Sequence, residues 1–463
     1  MKKILSAILS AAIIAASASP AFAAEAAELN ISADKIGHEV SPTLYGAFIE
    51  DISKAGDGGL VSNLVYNNSF EYNDTAEENP QLNEAYWEFS NISHTVSKEN
   101  PLNKNNPSYE KLTISGKSTV TNLGCVENWS YKTYEPNKKS QATADMGFKK
   151  GEKYDFSMYV KNVDFSGTVR IYLDSPSNKS HQTEIDISNS ESWRKFEAEL
   201  ESAATEDGGL AIEFNGTGTL CIDFVQLIPQ SSYGYGNSKW KYTTLRSDLV
   251  NALKELNPAF IRFPGGCFCE GDSLDNLYNW KDTIGPLESR RQSYNIWRND
   301  EAGDYYINSN SLGYGEYFNL CSDLGAEPVP CLSAGITCQG RNGYDINVDA
   351  LKRLSMSDEE FRNYLITERN FDKNDAASLD NRIKEVEALG YTSEADFDKY
   401  LETIALTPGT HDWQNYVQDI LDLIEYANGD STITYWGAVR AANGHSEPYN
   451  LKYIGIGLSL IHI

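Results

Sequence analysis

Ile261-Arg-Phe-Pro-Gly-Gly-Cys-Phe-Cys-Glu-Gly271 is the stretch that decides how the chain reads. An apolar run, Ala259 to Phe263, ends abruptly in Pro264 and two glycines. Proline restricts the exit angle, and Gly265 and Gly266 let the backbone lie close to another group with no Cβ in between. Cys267 follows as a small, polarizable side chain. The pattern is that of a core strand opening into a loop pressed against something. In extended chain, Cys267 and Cys269 share one side. A tight turn after an ordinary core strand has the same local signature, so the context must choose.

That context is α/β. Upstream, Leu245, Leu249, Leu253 and Leu256 recur at helical spacing, and Asn257-Pro258 ends the helix. Downstream, Tyr314, Phe318, Cys321 and Leu324 predict a helix stopped by Gly325, with a strand from Glu327 to Leu332. Trp413 to Ala427 predicts another helix, closed at Asn428-Gly429, with a strand from Leu451 to Gly457. An earlier strand, Tyr45 to Glu50, ends in Glu50 and Asp51 and precedes Leu60, Leu64 and Val65 at helical spacing. Strand and helix alternate without hairpins, which predicts parallel strands joined by right-handed crossovers.

Two regions break this rhythm. Over residues 85–230 the apolar period is two: Tyr154, Phe156, Met158, Val160; Val169, Ile171, Leu173; Leu210, Ile212, Phe214; Leu220, Ile222, Phe224. Turn sequences separate the runs, among them Asn215-Gly-Thr-Gly218, and an all-β sandwich is expected. Residues 340–410 form an acidic, helix-rich insertion with starts at Ser357-x-x-Glu360 and Ser393-x-x-Asp396. It leaves the C-terminal end of a strand, the ligand side of a parallel sheet. It either shapes a cleft or is a solvated ornament.

With 463 residues, 40% hydrophobic and 23% charged, the chain has enough apolar material for more than one core. A net charge of −27 opposes binding to nucleic acid, whose phosphates it would repel. The 28 Tyr and 8 Trp offer flat faces that suit sugar rings as well as cores. Residues 1–23 read as a secretory signal: Lys2 and Lys3, the apolar run Ile4 to Ala16, and Ala21-Phe22-Ala23 with cleavage after Ala23. A secreted protein with no membrane anchor after cleavage is expected. Seven cysteines and six histidines show no paired Cys-x-x-Cys, so neither a zinc site nor any other metal or cofactor is expected. Gly313-x-Gly315 and Gly455-x-Gly457 lack the third glycine of a dinucleotide fold.

Four ordered blocks resemble a known family. They are Tyr45-Gly-Ala-Phe-Ile-Glu50; Gly58-Gly-Leu-Val-Ser-Asn-Leu-Val65; Arg262-Phe-Pro-Gly-Gly-Cys267 with Trp280-Lys-Asp-Thr-Ile-Gly-Pro286; and Arg440-Ala-Ala-Asn-Gly-His-Ser-Glu-Pro-Tyr-Asn-Leu-Lys-Tyr-Ile-Gly-Ile-Gly457. Together they resemble the α-L-arabinofuranosidases of glycoside hydrolase family 51, in the subgroup with a carbohydrate-binding-module-like sandwich inserted after the first barrel strand. The resemblance implies the N-terminal half of a (β/α)8 TIM barrel. The divisions are a first strand and helix in 24–84, the inserted sandwich at 85–230, strands two to four in 231–457, and a tail at 458–463 outside the pattern. It implies removal of terminal arabinofuranosyl groups from an arabinose-containing plant polysaccharide or oligosaccharide by a retaining pair of glutamates.

Residue by residue, the resemblance makes Glu50 a sugar-binding acid and places Gly266 and Cys267 against the arabinose. Cys267 has a buried structural cysteine as its alternative. Trp280 lines the cleft or packs in the core, and Asp51 supports from behind. After Gly457 the family continues with Asn-Glu, the acid/base, whereas this chain continues Leu458-Ser459. The 463 residues are therefore expected to lack both catalytic glutamates and to be inactive as they stand. The alternative function is a non-catalytic carbohydrate-binding protein acting through the 85–230 sandwich, with Trp87, Trp129, Tyr131, Tyr134 and Trp193 as platform aromatics.

Overall fold

A computed structural model describes residues 37–72, 84–126, 143–188, 190–297, 307–338 and 342–457. The expected leader, the 458–463 tail and the proposed platform residues Trp129, Tyr131 and Tyr134 lie outside the described residues. The chain divides at Leu44 into a short N-terminal unit and a large unit, Tyr45–Ile463, that holds every strand and helix described.

The large unit begins with β1 (Gly46–Phe48). An antiparallel region follows: β2 (Trp87–Ser97), β3 (Tyr109–Asn122), β4 (Met146–Phe148), β5 (Lys153–Asn162), β6 (Ser166–Asp174), β7 (Thr183–Ile185), β8 (Arg194–Glu201) and β9 (Glu206–Pro229). The chain returns through α1 (Ser247–Leu256) to β10 (Phe260–Phe263), a single helical turn α2 (Cys267–Glu270), and a small pair β11 (Ser293–Tyr294) and β12 (Ile307–Asn308). Then come α3 (Tyr314–Leu324), β13 (Glu327–Leu332) and four helices of the insertion, α4 (Tyr344–Arg353), α5 (Asp358–Thr367), α6 (Ala376–Ala388) and α7 (Glu394–Ile404). Finally α8 (His411–Asn428), α9 (Tyr435–Ala442) and β14 (Gly455–Ile456) complete it.

β1, β10, β13 and β14 form one parallel sheet in that spatial order. Chain order and sheet order agree, each strand pairing with the next parallel strand in the sequence. The period-two alternation sorts the faces. Ile261 and Phe263 are 0% and 3% exposed and face the helices. Phe263 stacks on Tyr317 at 5.0 Å, and the Tyr317 hydroxyl donates to the Ile261 carbonyl at 2.7 Å. Arg262 sits on the other face, its guanidinium over the Phe48 ring at 4.4 Å. The caps follow local chemistry: Asn257 ends α1 at φ 46° and Gly325 ends α3 at φ 70°. β1 and β14 are the outer strands, and the described residues form part of a barrel wall without closing it.

In the antiparallel region, eight described strands wrap one core that includes Trp87, Phe89, Phe156, Met158, Phe214 and Leu227. β9 is its spine. It pairs with β3 along one side, and with β4, β6 and β5 in turn along the other. The turn expected at Asn215–Gly218 is not a turn. The strand runs straight through, because Gly216 and Gly167 lack side chains and their backbones close onto each other.

Two other expectations fail on local grounds. No α-helix forms among the described residues 45–72. Gly56–Leu60 makes one wide turn, broken by Gly58 at φ 85°. Beyond it the chain joins the sandwich: the Leu64 amide donates to the Leu227 carbonyl at 3.0 Å, and Val65 enters the sandwich core. Residues 267–270 coil into α2 instead of extending, so Cys269 is buried while Cys267 stays half-exposed. Among the described residues no helix is long and apolar enough to cross a membrane.

The insertion has its own core of Ala350, Phe361, Tyr364, Leu365, Leu379 and Val386. Its base is closed where the Thr337 amide meets the Ile404 carbonyl and the Leu406 amide meets the Gly335 carbonyl, both at 2.8 Å. At its centre Asp349 is wholly buried between Arg369 (3.0 Å) and Arg382 (2.8 Å), and the Tyr364 hydroxyl donates to it at 2.8 Å. Replacing one partner of such a network strands the others. Asp349→Asn is expected to destabilise the insertion by about 3 kcal/mol, less than a fully buried pair because both arginines touch water. Urea titration should show this loss, with faster hydrogen exchange confined to residues 344–404.

Candidate functional site

Adjacent parallel strands end in register, and their C-terminal ends form one rim. β1 delivers Glu50 there, with the Ile49 amide still bonded to the Arg262 carbonyl at 2.9 Å. β10 delivers Gly265, Gly266 and Cys267 to the same rim. The Glu50 side chain lies over the glycines. A Cβ on Gly265 would stand 2.6 Å from Glu50 Cγ and 2.7 Å from Cδ, and Gly265 holds φ at 145°, where side chains strain the backbone. Gly266 is the next surface under the carboxylate, its would-be Cβ 3.7 Å from Oε2.

Two donors orient the carboxylate. The Phe268 amide reaches Glu50 Oε1 at 3.1 Å and the Trp297 indole N–H reaches it at 3.0 Å. Among the described residues nothing donates to Oε2. Trp297 is the participant that the sequence reading missed. It lies in a polar loop after β11 with no periodicity, and only folding brings it to a residue 247 positions away. The same loop braces the strand end. Asn295 donates to the Asp51 carbonyl at 2.7 Å, and its own carbonyl oxygen accepts the Trp297 amide at 2.9 Å.

Asp51 sits behind Glu50. Burial pushes its carboxyl up to about 7, and the charges of Asp57 and Glu50 add to the rise. The Gly56 amide on Oδ1 at 2.9 Å pulls the other way. Burial also raises Asp57, against two hydrogen bonds from Ser309. The rim thus sets Glu50 in front of two buried acids whose carboxyls burial holds above the ordinary carboxylate range.

Cys267 stands at the rim between Gly266 and Phe268. Its sulfur, the Cys338 sulfur and a Glu270 carboxylate oxygen all lie within 4.8 Å of one another, a set of donors able to hold a soft divalent ion. A second such set, Glu84, His94 and Glu110, lies in the sandwich. Trp280 is elsewhere. Its ring is 1% exposed, packed on Tyr426 at 5.4 Å and Trp436 at 5.0 Å, and its N–H donates to the Asp419 carbonyl at 2.7 Å. It anchors α8 against the loop, so of its two readings the structure favours core packing. A pocket of about 180 Å³ that it touches, beside Tyr416 and Ile420, includes none of Glu50, Gly265, Gly266 or Cys267.

The sandwich aromatics divide similarly. Trp87 is 1% exposed and belongs to the core, its N–H on the Asn67 carbonyl at 2.8 Å, so it offers no platform. Trp193 keeps part of its surface, edge-on to Tyr109 with Lys161 over the ring. A broad cleft of about 850 Å³ separates β5 and β8 from residues 235–244, lined by Gln226, Glu197, Tyr235 and Tyr242 among others.

Comparison with known proteins places these features. A family model described as the alpha-L-arabinofuranosidase 1 domain matches residues 252–380 and 393–459. The chain is 28% identical over 433 residues to the extracellular exo-alpha-L-arabinofuranosidase of Streptomyces chartreusis, covering 91% of this chain and 40% of that protein. It is 28% identical over 431 residues to alpha-L-arabinofuranosidase 1 of Arabidopsis thaliana, covering 91% of this chain and 49% of that one. An arabinose-bound family 51 α-L-arabinofuranosidase shares the fold with a TM-score of 0.64 at 21% identity, over 91% of this chain and 54% of its own. The chain resembles the family 51 arabinofuranosidases in sequence and fold, and spans about half the length of these relatives or less.

Two outcomes test the site's construction. Gly265→Ala forces a Cβ into the Glu50 side chain and is expected to cost about 1–3 kcal/mol, read as a lower Tm. Asp51 has a folded pKa above its ordinary value of 3.8, so its contribution is full below that value and is lost as pH rises through about 7. Asp51→Asn, which cannot ionise, should therefore gain Tm relative to the parent as pH rises from 3.8 to about 7. A constant difference across that window contradicts the assignment.

Proposed function

We propose that this chain forms the sugar-holding side of an exported α-L-arabinofuranosidase, a glycosidase acting on the non-reducing ends of arabinose-containing plant polysaccharides or oligosaccharides. One observation supports it above the others: Glu50 seated on Gly265–Gly266 at the C-terminal ends of neighbouring parallel strands, with Oε1 held by Phe268 and Trp297. An ionised carboxylate with one oxygen anchored presents the other to sugar hydroxyls as a charge-assisted acceptor. Cys267 beside it offers a small apolar contact, and the side-chain-free Gly266 lets a furanose ring come close. Export rests on the leader read in residues 1–23 and on the name of the Streptomyces relative.

The proposed reaction is a retaining double displacement between two glutamates with carboxyls about 5 Å apart. The part assigned to this chain is binding and orientation. Where the resemblance places the acid/base glutamate after Gly457, this sequence has Leu458 and Ser459. A serine hydroxyl does not protonate a leaving oxygen at neutral pH. The purified 463-residue chain is therefore expected to bind methyl α-L-arabinofuranoside by saturation-transfer NMR and to release no 4-nitrophenol from the corresponding arabinofuranoside. Glu50→Gln should weaken binding by roughly 10- to 100-fold, the value of a hydrogen bond to a charged group. Unchanged binding in that variant removes the assignment, and measurable release overturns the account of position 459.

The broad cleft beside β5 and β8 favours a second reading, a non-catalytic carbohydrate-binding role for the sandwich. Its lining mixes aromatic edges with polar acceptors, a combination that suits polysaccharide chains. Affinity electrophoresis in arabinoxylan separates the two readings. Retardation that Tyr242→Ala abolishes and Glu50→Gln leaves intact belongs to the cleft.

A further inference from the structure

The sandwich holds a buried cluster that the sugar site does not use. Glu84 precedes β2, His94 lies within β2, and Glu110 is near the start of β3. In the antiparallel register His94 faces Leu112 and Val96 faces Glu110, so His94 and Glu110 point to the same inner face. The side chains of His94, Glu84 and Glu110 are 7%, 10% and 0% exposed. The His94 ring lies flat on Phe89, with centroids 3.9 Å apart and planes 7° from parallel. That stacking holds the direction in which the ring nitrogens point.

One nitrogen faces both carboxylates. His94 Nδ1 is 2.9 Å from Glu84 Oε1 and 3.5 Å from Glu110 Oε1. A protonated Nδ1 has a single N–H, and the shorter distance assigns it to Glu84. Glu110 is left wholly buried, and among the described residues neither of its oxygens has a hydrogen-bond partner of good geometry, the His94 nitrogen at 3.5 Å being its near cation. A carboxyl group in that position carries a large desolvation penalty. A divalent cation between the three groups removes the conflict, since one ion accepts a lone pair from each. The spacing suits it: metal–ligand bonds of about 2.0–2.2 Å in a tetrahedral zinc site put neighbouring donors roughly 3.3–3.5 Å apart. An imidazole among the donors favours a transition ion such as zinc over calcium, which prefers oxygen alone. Two carboxylates and a neutral imidazole balance a dication.

We propose that Glu84, His94 and Glu110 form a structural site for a divalent transition-metal ion, zinc being the probe, which ties the segment before β2 to the β2–β3 pair. The test uses the untagged 463-residue chain carrying Cys338→Ser, which removes the other donor cluster. The protein is loaded with zinc, dialysed against metal-free buffer and assayed by mass spectrometry, and loaded separately with cobalt. About one equivalent of zinc should remain, with a higher Tm than the metal-free protein. Cobalt should give visible d–d bands without a thiolate charge-transfer band. His94→Gln and Glu110→Gln should weaken zinc binding by about tenfold or more and abolish the Tm gain. Glu84→Gln, at the more exposed edge, gives the same readout if either of those variants fails to fold. Failure of the parent to retain zinc overturns the proposal and leaves an imidazolium clamped by Glu84. Equal retention in parent and variants overturns it too, by placing the ion elsewhere.

Discussion

A carboxylate occupies the space where Gly265 would have a side chain, and the rim of the parallel sheet depends on that exchange. Any residue but glycine at 265 would put a Cβ into Glu50 and force φ 145° on a side chain that resists it. Because the space is open, Glu50 lies down over β10's exit and meets the Phe268 amide and the Trp297 indole. Those bonds bring in the loop after β11, and Asn295 passes the connection on to Asp51. A backbone position with no side chain thus organises contacts among three segments far apart in the chain.

The rim is only as well placed as the layers behind it. Ile261 and Phe263 hold β10 against α3, through the Tyr317 ring and hydroxyl. The loop between β10 and α3 is tied down by Arg290, which is 1% exposed in its side chain and forms a two-pronged pair with Glu316 at 2.8 and 2.9 Å. Fully donating guanidinium geometry of this kind offsets the cost of burying the pair. The sandwich is bonded to the same loop: Asn106 donates to the Glu288 and Arg290 carbonyls and the Tyr159 hydroxyl to Glu288. The inserted strands therefore brace the segment that leads to Trp297.

Much of the fold was legible residue by residue. The leucine spacing of α1, its Asn257-Pro258 stop, the Gly325 cap and the Ser357 capping box are local signals with local causes, and each appears where the sequence puts it. Glu50 and Gly265 were readable as strand-end residues for the same reason. The misreadings share a different cause. Leu60, Leu64 and Val65 match a helical period, but Leu60 packs in the parallel-sheet core while Leu64 and Val65 pack in the sandwich core, so no single helix face serves them. Asn215–Gly218 has turn composition, but its glycines serve close approach between strands. Trp280 was open between cleft and core, and its packing on Tyr426 under α8 is the core alternative.

The sequence by itself determined the class of architecture: parallel βα units interrupted by an alternating β region and a helical insertion. Periodicity, caps and chain breaks act over a few residues and need no partner to be recognised. Only the tertiary structure decided which side chains meet. It chose the Glu50–Trp297 contact across 247 positions. It assembled Cys267 with Cys338, and Glu84 with His94 and Glu110, from donors that no short spacing motif connects. Burial and long-range contact set the environment of a group, and the environment, more than the residue type, fixes whether a tryptophan packs, a carboxylate stands at a rim or a histidine lies between two acids.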